Sequence, residues 1–138
     1  MIPIVKISGN YTTTKWDEHP YQVIEDRMKL TKASVEFEFT GDIIGTALVE
    51  YLMFYTSFDV EDMHKSAAQY VGQMRIEGNL KGKSGSFALL DTGTFESGVA
   101  KSQITIISGS GTEELFNITG RGSYMADQFG CSWELILD

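Results

Sequence analysis

The amino-acid sequence predicts an all-β fold, in which about eight antiparallel strands close into an up-and-down barrel. Between Gly78 and Gly122, glycine-containing turns recur at a spacing of roughly 8–12 residues and separate short apolar runs. From Ala33 to Thr40, apolar and polar side chains alternate, which is typical of a half-buried strand. A closed barrel is the most economical arrangement of many short-looped strands, because closure removes the exposed edges of the sheet.

The length and charge of the chain limit its class. Its 138 residues correspond to a single domain, residues 1–138, large enough to bury roughly two-thirds of its unfolded surface. The formal net charge of −8 argues against binding to nucleic acid or to an anionic membrane surface, because both carry negative charge. No apolar stretch approaches the ~20 residues that a membrane-spanning helix requires.

Three strands are predicted in the first half of the chain, at residues 4–16, 29–40 and 43–56. The polar segment between the first two strands contains Pro20, and we predict a loop or a short helical turn over residues 17–28. Gly41 and Asp42 are predicted to form the turn between the second and third strands.

The second half of the chain opens with the longest predicted irregular segment, residues 57–66. A short helical turn is predicted at residues 112–115, where Thr112 is placed to cap it and Glu113 and Glu114 lie at its positive end. The remaining residues predict five strands, at 67–80, 83–95, 99–107, 116–124 and 130–137.

Two-residue turns set the expected register, because the turn decides which residues face each other. A turn at Lys81-Gly82 pairs Ile76 with Phe87 and Met74 with Leu89. A turn at Glu96-Ser97 pairs Leu89 with Ile104 and Phe87 with Ile106, and it places Asp91 opposite Ser102. Across the irregular segment, the expected pairs are Met53 with Tyr70, Tyr51 with Gly72, and Val49 with Met74.

One face of these strands comes out apolar and is predicted to be the barrel interior. Tyrosine and methionine are frequent on it, and both adapt well to a ligand pocket. The predicted interior residues are Val35, Phe37, Phe39, Val49, Tyr51, Met53, Tyr55, Tyr70, Met74, Ile76, Phe87, Leu89, Ile104, Ile106, Trp133, Leu135 and Leu137.

Asp91 is the one carboxylate on the predicted interior face. It is either solvated at the mouth of the barrel or buried as a polar anchor in an apolar pocket, with a perturbed pKa. If the two faces are reversed, Glu50 becomes the buried acid instead. The predicted ligand-binding residues are Tyr51, Met53, Tyr55, Tyr70, Met74 and Trp133, with Asp91 or Glu50 orienting the polar end of the ligand.

The opposite face carries an apolar patch of Leu52, Phe54 and Val71, which is too apolar for a free surface and predicts a homodimer interface. On the same face, Glu50 and Arg75 are expected to form a cross-strand ion pair.

Other features carry little chemistry. The lone Cys131 forms no internal disulfide, which, together with the absence of a signal peptide, predicts a cytoplasmic protein. The acidic segment Asp59, Glu61, Asp62 and His64 matches no metal-site spacing and is expected to be a solvated loop or a flap over one barrel end. Residues 109–112 lack the features of a phosphate-binding loop. We expect neither a metal nor a cofactor.

The glycine-spaced motifs also resemble a known family. The runs 82–87, 93–95, 98–100 and 109–115, together with 16–20, 30–33 and 50–52, are similar to an uncharacterised bacterial family, domain of unknown function 3224. The resemblance covers nearly the whole chain. It implies a barrel like that of allene oxide cyclase and brings no established activity.

Three functions are compatible with these observations. The first is a protein that binds a small, mostly apolar ligand inside the barrel, and it requires an interior that is not fully packed. The second is an enzyme of isomerase or cyclase type, in which a buried carboxylate or a tyrosine moves a proton. The third is a non-enzymatic oligomerisation or interaction module with a solid barrel and an active outer patch.

Overall fold

The computed structural model describes residues 5–138, and eight consecutive antiparallel strands form a closed barrel in them. The predicted all-β barrel is therefore confirmed. None of the described helices is long and apolar enough to cross a membrane. The strands are β1 (Val5–Glu25), β2 (Met28–Gly41), β3 (Ile43–Ser57), β4 (Ala67–Leu80), β5 (Lys83–Glu96), β6 (Val99–Ile106), β7 (Gly120–Asp127) and β8 (Gly130–Leu137).

Alternation along the strands divides them into an inner and an outer face, as predicted. All the predicted interior side chains are buried, apart from Leu137, which is half-buried against the core. Asp91 is also buried, whereas Glu50 is exposed on the outer face. The alternative orientation, with Glu50 as the buried acid, is therefore wrong.

The predicted register is confirmed for β3, β4 and β5. Tyr51 lies opposite Gly72, and a side chain at Gly72 would meet the Tyr51 ring at 2.7 Å, so the ring covers bare backbone. The turn at Lys81-Gly82 is also confirmed, with φ angles of 49° and 93°. Both values lie in the left-handed region that two-residue hairpin turns require.

The register predicted between β5 and β6 is wrong by two residues. The turn consists of Ser97 and Gly98, with φ angles of 54° and 78°, because Gly98 supplies the positive φ at its second position. Leu89 consequently faces Ile106, and Asp91 faces Ile104 in place of Ser102. A shift of two residues leaves every side chain on its predicted face.

The predicted loop at residues 17–28 is also wrong, because β1 continues as a strand to Glu25 and pairs with β2 throughout. Beyond Asn10, β1 has lost its other partner, β8. This section is an edge strand, where a proline such as Pro20 is tolerated because one side needs no donor. Three bulges lie along it, between Thr13 and Lys15, between Pro20 and Gln22, and between Val23 and Glu25.

Smaller differences lie in the second half of the chain. The predicted helical turn is confirmed as a 3₁₀ helix at Glu113–Leu115, but the Thr112 hydroxyl contacts Ser86 and does not cap it. The strand predicted from residue 116 begins at Gly120 and ends at Asp127.

The predicted ion pair between Glu50 and Arg75 is absent from the described residues. Glu50 accepts a hydrogen bond from Ser34 Oγ at 2.6 Å, and Arg75 lies opposite Leu48 and contacts Glu77 and Ser86. The apolar outer patch does exist, since Leu52 and Val71 face each other and are each about half exposed.

Candidate functional site

The two halves of the barrel interior differ in packing. The half near the Lys81-Gly82 turn, called here the packed half, contains a void of only about 10 Å³ among residues such as Phe39, Met74 and Trp133. That volume is close to the minimum that holds one water molecule. A solid barrel is thus observed over this half, where side chains fill the interior.

The other half, near the Ser97-Gly98 turn, contains a cavity of about 100 Å³ and is called here the open half. Its floor is buried, and its rim residues, among them Trp16, Phe95 and Ala126, are partly exposed to solvent. The interior is therefore accessible from one end. The cavity is lined by Tyr11, Thr13, Trp16, Phe37, Tyr51, Met53, Tyr70, Phe95, Ala100, Tyr124 and Ala126.

A β-bulge brings Trp16 to this rim. Tyr11 and Thr13 point inward at odd positions of β1, and the extra residue at Thr14 moves the inward positions to even numbers. Trp16 then stacks on Tyr51 with a centroid separation of 6.5 Å and an interplanar angle of 29°. Its indole Nε1 donates to Glu18 Oε1 at 2.9 Å, which orients the ring at the cavity mouth.

Glu18 connects this rim to the barrel wall. Its Oε2 accepts hydrogen bonds from Thr31 Oγ1 at 2.6 Å and from Tyr55 Oη at 2.8 Å. Burial and the neighbouring Glu18 carboxylate both raise the pKa of Tyr55, so this tyrosine stays protonated as a donor. The carboxylate therefore fixes the edge of the cavity through three donors.

Asp91 lies at the base of the open half and is completely buried. Its Oδ2 lies 2.9 Å from Tyr51 Oη and 2.6 Å from Tyr124 Oη, while its Oδ1 has no hydrogen-bond partner. The hydroxyls of Tyr51 and Tyr124 also contact each other, and the Tyr70 hydroxyl contacts Ser102 Oγ. Polar atoms thus converge below an otherwise apolar cavity.

Burial is the main cause of the pKa shifts in this cluster. It raises the pKa of Asp91 above its ordinary value, although the neighbouring hydroxyl groups of Tyr124, Tyr51 and Ser102 partly oppose the rise. Burial likewise raises the pKa of Tyr51 and Tyr124, and the nearby Asp91 raises both further. Loss of water around a charged group is the physical reason in each case.

The number of contacts also favours a protonated Asp91. Asp91 Oδ2, Tyr51 Oη and Tyr124 Oη make three mutual contacts, and the two tyrosines supply only two protons. A proton on the carboxyl group provides one proton for each contact. Oδ1 is then the carbonyl oxygen of a neutral acid, and an unpaired carbonyl oxygen costs less to bury than an unpaired carboxylate oxygen.

The structure places the predicted site residues in five different environments. Tyr51, Met53 and Tyr70 line the cavity, and Asp91 lies beneath it. Tyr55 is buried outside the cavity, where it packs edge-to-face on Phe58 at 5.2 Å. Met74 and Trp133 lie in the packed half, and Glu50 lies on the outer surface.

Several residues of the cavity were not predicted from the sequence. The predicted register did not include β1 and β7, the strands that carry Tyr11 and Tyr124. For Tyr11, the alternation of Ile7, Gly9 and Tyr11 at odd positions does indicate an inward side chain. Alternation could not predict the inward position of Trp16, because the bulge at Thr14 moves the inward-facing positions from odd to even numbers. The sequence also shows no direct sign that Ala100 and Ala126 face each other at the rim.

The acidic segment is a structural loop. Asp59 Oδ1 accepts backbone N–H groups from Glu61 and Asp62 at 2.9 Å and 3.0 Å, and these bonds lower the pKa of Asp59. No group of three potential metal ligands occurs among residues 5–138. None of residues 58–66 lines the cavity, so the expected flap does not cover it in this structure.

Comparison with known proteins identifies the family. The family model for proteins of unknown function DUF3224 matches residues 7–134, which is nearly the whole chain. This chain belongs to the DUF3224 family. The family resemblance predicted from the sequence motifs is therefore confirmed. No curated protein matches the sequence.

A solved structure from this family has the same fold. It is a protein of unknown function from Shewanella oneidensis MR-1, with a TM-score of 0.74 and 19% sequence identity. The similarity covers 99% of this DUF3224 chain and 98% of the other. At that identity it shows the shared fold alone, and the expected likeness to allene oxide cyclase stays a prediction.

Proposed function

We propose that this DUF3224 protein binds one small, mostly apolar ligand in the cavity of the open half. The observation that carries the proposal is the contrast in packing, with about 100 Å³ of apolar-lined space at one end and about 10 Å³ at the other. Barrels of eight strands have just enough room for one small ligand. Apolar walls with a few convergent polar groups are typical of such sites.

Native mass spectrometry of protein purified from its own host tests this proposal. A small molecule that is retained in the native spectrum and lost on denaturation supports a ligand-filled barrel, and its mass narrows the chemical class. A mass equal to that of the bare chain, together with no binding of apolar probe molecules, would rule the proposal out.

Ala126→Phe is expected to reduce ligand binding at least tenfold. Ala126 is a half-buried rim residue paired with Ala100, and an added ring there fills the mouth of the cavity. Met125→Phe is the matched control, because Met125 is the next residue on β7 and points to the outer surface, where it is 43% exposed. Titration with the retained ligand measures both variants, and equal affinities would place the ligand elsewhere.

A second candidate function is an isomerase or cyclase type of enzyme. The buried Asp91 favours it, because its hydroxyl partners Tyr51 and Tyr124 both line the cavity and so connect a proton-bearing acid to a bound molecule. Incubating the identified ligand with excess protein distinguishes the two functions. An isomer of equal mass and altered chromatographic retention indicates catalysis, whereas an unchanged molecule indicates binding alone.

We also propose a homodimer formed through the outer patch of Leu52, Phe54 and Val71. Phe54→Asp is expected to convert the dimer to a monomer in analytical ultracentrifugation, because a carboxylate would be desolvated at an apolar interface. Phe116→Asp is the control, since Phe116 is 64% exposed and lies outside the patch, in the connection between β6 and β7. An unchanged oligomer for Phe54→Asp would exclude this surface.

We also propose that the protein resides in a reducing compartment such as the cytoplasm. Cys131 is the one cysteine of the chain and is half-buried, so no disulfide supports the barrel.

A further inference from the structure

We propose that the ligand of the open-half cavity is a small organic cation of the alkylammonium class, held by aromatic rings with Asp91 as its counter-ion. This inference rests on the proposed function, because it specifies the ligand of the same cavity. It goes further in assigning a charge to that ligand and a role to Asp91, the fully buried acid at the base of the cavity.

The first observation is the aromatic content of the wall. Seven of the eleven lining residues are aromatic, and the lining contains no Lys, Arg or His side chain. The faces of Trp, Tyr and Phe rings carry partial negative charge and attract a cation, most strongly where water is excluded. Aromatic rings lie both in the buried floor of the cavity, at Tyr51 and Tyr70, and at its rim, at Trp16.

The second observation is the size of the space. A cavity of about 100 Å³ holds a compact group and is too small to enclose a long chain or a fused ring system. Alkylation enlarges an ammonium group and gives it an apolar surface, so it loses less hydration free energy than an unsubstituted ammonium group when it enters such a cavity. A head group of the size of trimethylammonium therefore suits both the volume and the apolar wall.

The third observation is the buried carboxyl group. Asp91 Oδ2 contacts the hydroxyls of Tyr51 and Tyr124, which both line the cavity, and Asp91 Oδ1 has no hydrogen-bond partner. Natural proteins seldom leave a buried polar atom unpaired, and a function that needs the charge explains this exception. The net charge of −8 acts in the same direction, because it attracts cations towards the protein.

Binding of a cation is linked to the protonation of Asp91. The other titratable groups that face Asp91 are Tyr11, Tyr51, Tyr70 and Tyr124, and burial raises the pKa of each, so all stay neutral near pH 7. A bound cation stabilises the carboxylate and lowers the pKa of Asp91, so binding releases its proton to solvent. Affinity should therefore rise with pH until Asp91 is ionised in the free protein and then level off.

Choline and 3,3-dimethyl-1-butanol provide a matched pair of probes, because they have the same shape and differ only in charge. We expect calorimetric titration to show that choline binds about tenfold tighter or more. Repeating the titration in two buffers of different ionisation enthalpy measures the proton release, which should be present for choline and absent for the alcohol.

Asp91→Asn is expected to weaken the preference for choline to what the aromatic rings alone supply, and to abolish the proton release, while retaining the binding of the neutral alcohol. Glu38→Gln is the control, because Glu38 is an exposed acid on β2 and the substitution likewise replaces a carboxyl group with its amide. Should Asp91→Asn not fold, the charge preference and proton release of the wild-type protein still decide the question.

Two results would overturn the inference. If the alcohol binds as tightly as choline or tighter, the cavity is a site for neutral ligands and the proposed function remains. If neither probe binds, the cation is excluded, and native mass spectrometry then decides separately whether any ligand occupies the barrel.

Discussion

Asp91→Asn should make the free energy of unfolding nearly independent of pH in the range where the wild-type protein loses stability. The pKa of Asp91 is raised by burial in the folded protein and is about 3.9 in the unfolded chain. The folded state therefore binds more protons above pH ~4. The contribution of Asp91 to the free energy of unfolding is complete below that pH. It is lost as the pH rises through the folded pKa, by up to about 1.4 kcal/mol per pH unit for a single group.

Urea unfolding between pH 4 and 8 measures this difference, with Glu38→Gln as the control for removal of an exposed acid. The control should follow the wild-type profile. The lowered pKa of Asp59 acts in the opposite direction, and its contribution lies at more acidic pH, below the range of this measurement. A wild-type profile that runs parallel to that of the asparagine variant between pH 4 and 8 would show that Asp91 is ionised in the folded barrel.

Phe87→Ala should cost about 3–5 kcal/mol of unfolding free energy, the usual range for truncating a buried phenylalanine. Phe87 is among the largest fully buried side chains, at 1% exposure, and it faces Ile76 in the packed half. Because that half has almost no free volume, the neighbouring side chains have little room to collapse into the new cavity.

Phe129→Ala is the matched control, since Phe129 is 87% exposed in the turn between β7 and β8 and its loss should change stability by no more than about 0.5 kcal/mol. Denaturant unfolding of both variants gives the comparison. A small loss for Phe87→Ala would mean that the packed half is not the main source of stability, and the division of the barrel into two halves would need revision.

The division between a packed and an open half has a simple physical origin. In the packed half, aliphatic and aromatic side chains from all sides meet across the axis, as Met74, Leu89 and Leu135 do. In the open half, small residues such as Ala100 and Ala126 replace large ones on two strands. The large rings opposite them cannot fill the space that is left, so a cavity remains.

The local pattern of the sequence was sufficient to predict the strands and their inner faces. Side chains alternate with a period of two, so a correct hairpin turn at Lys81-Gly82 assigned the faces of β4 and β5 together. The error in the predicted turn at Glu96-Ser97 did not change the predicted inner faces, because the register was wrong by two residues and side chains alternate with a period of two. The extension of β1 was missed, since a polar, proline-containing segment forms a strand only when a partner strand is available.

Composition and alternation alone thus determined that this DUF3224 chain is a β-barrel with a tyrosine- and methionine-rich interior. They left open whether Asp91 is solvated or buried, because that depends on strands distant in sequence closing around it. Tyr51 and Tyr124 are 73 residues apart and meet at Asp91 only when the barrel is complete. The cavity, its rim and its buried acid are therefore properties of the closed sheet, which no local pattern encodes.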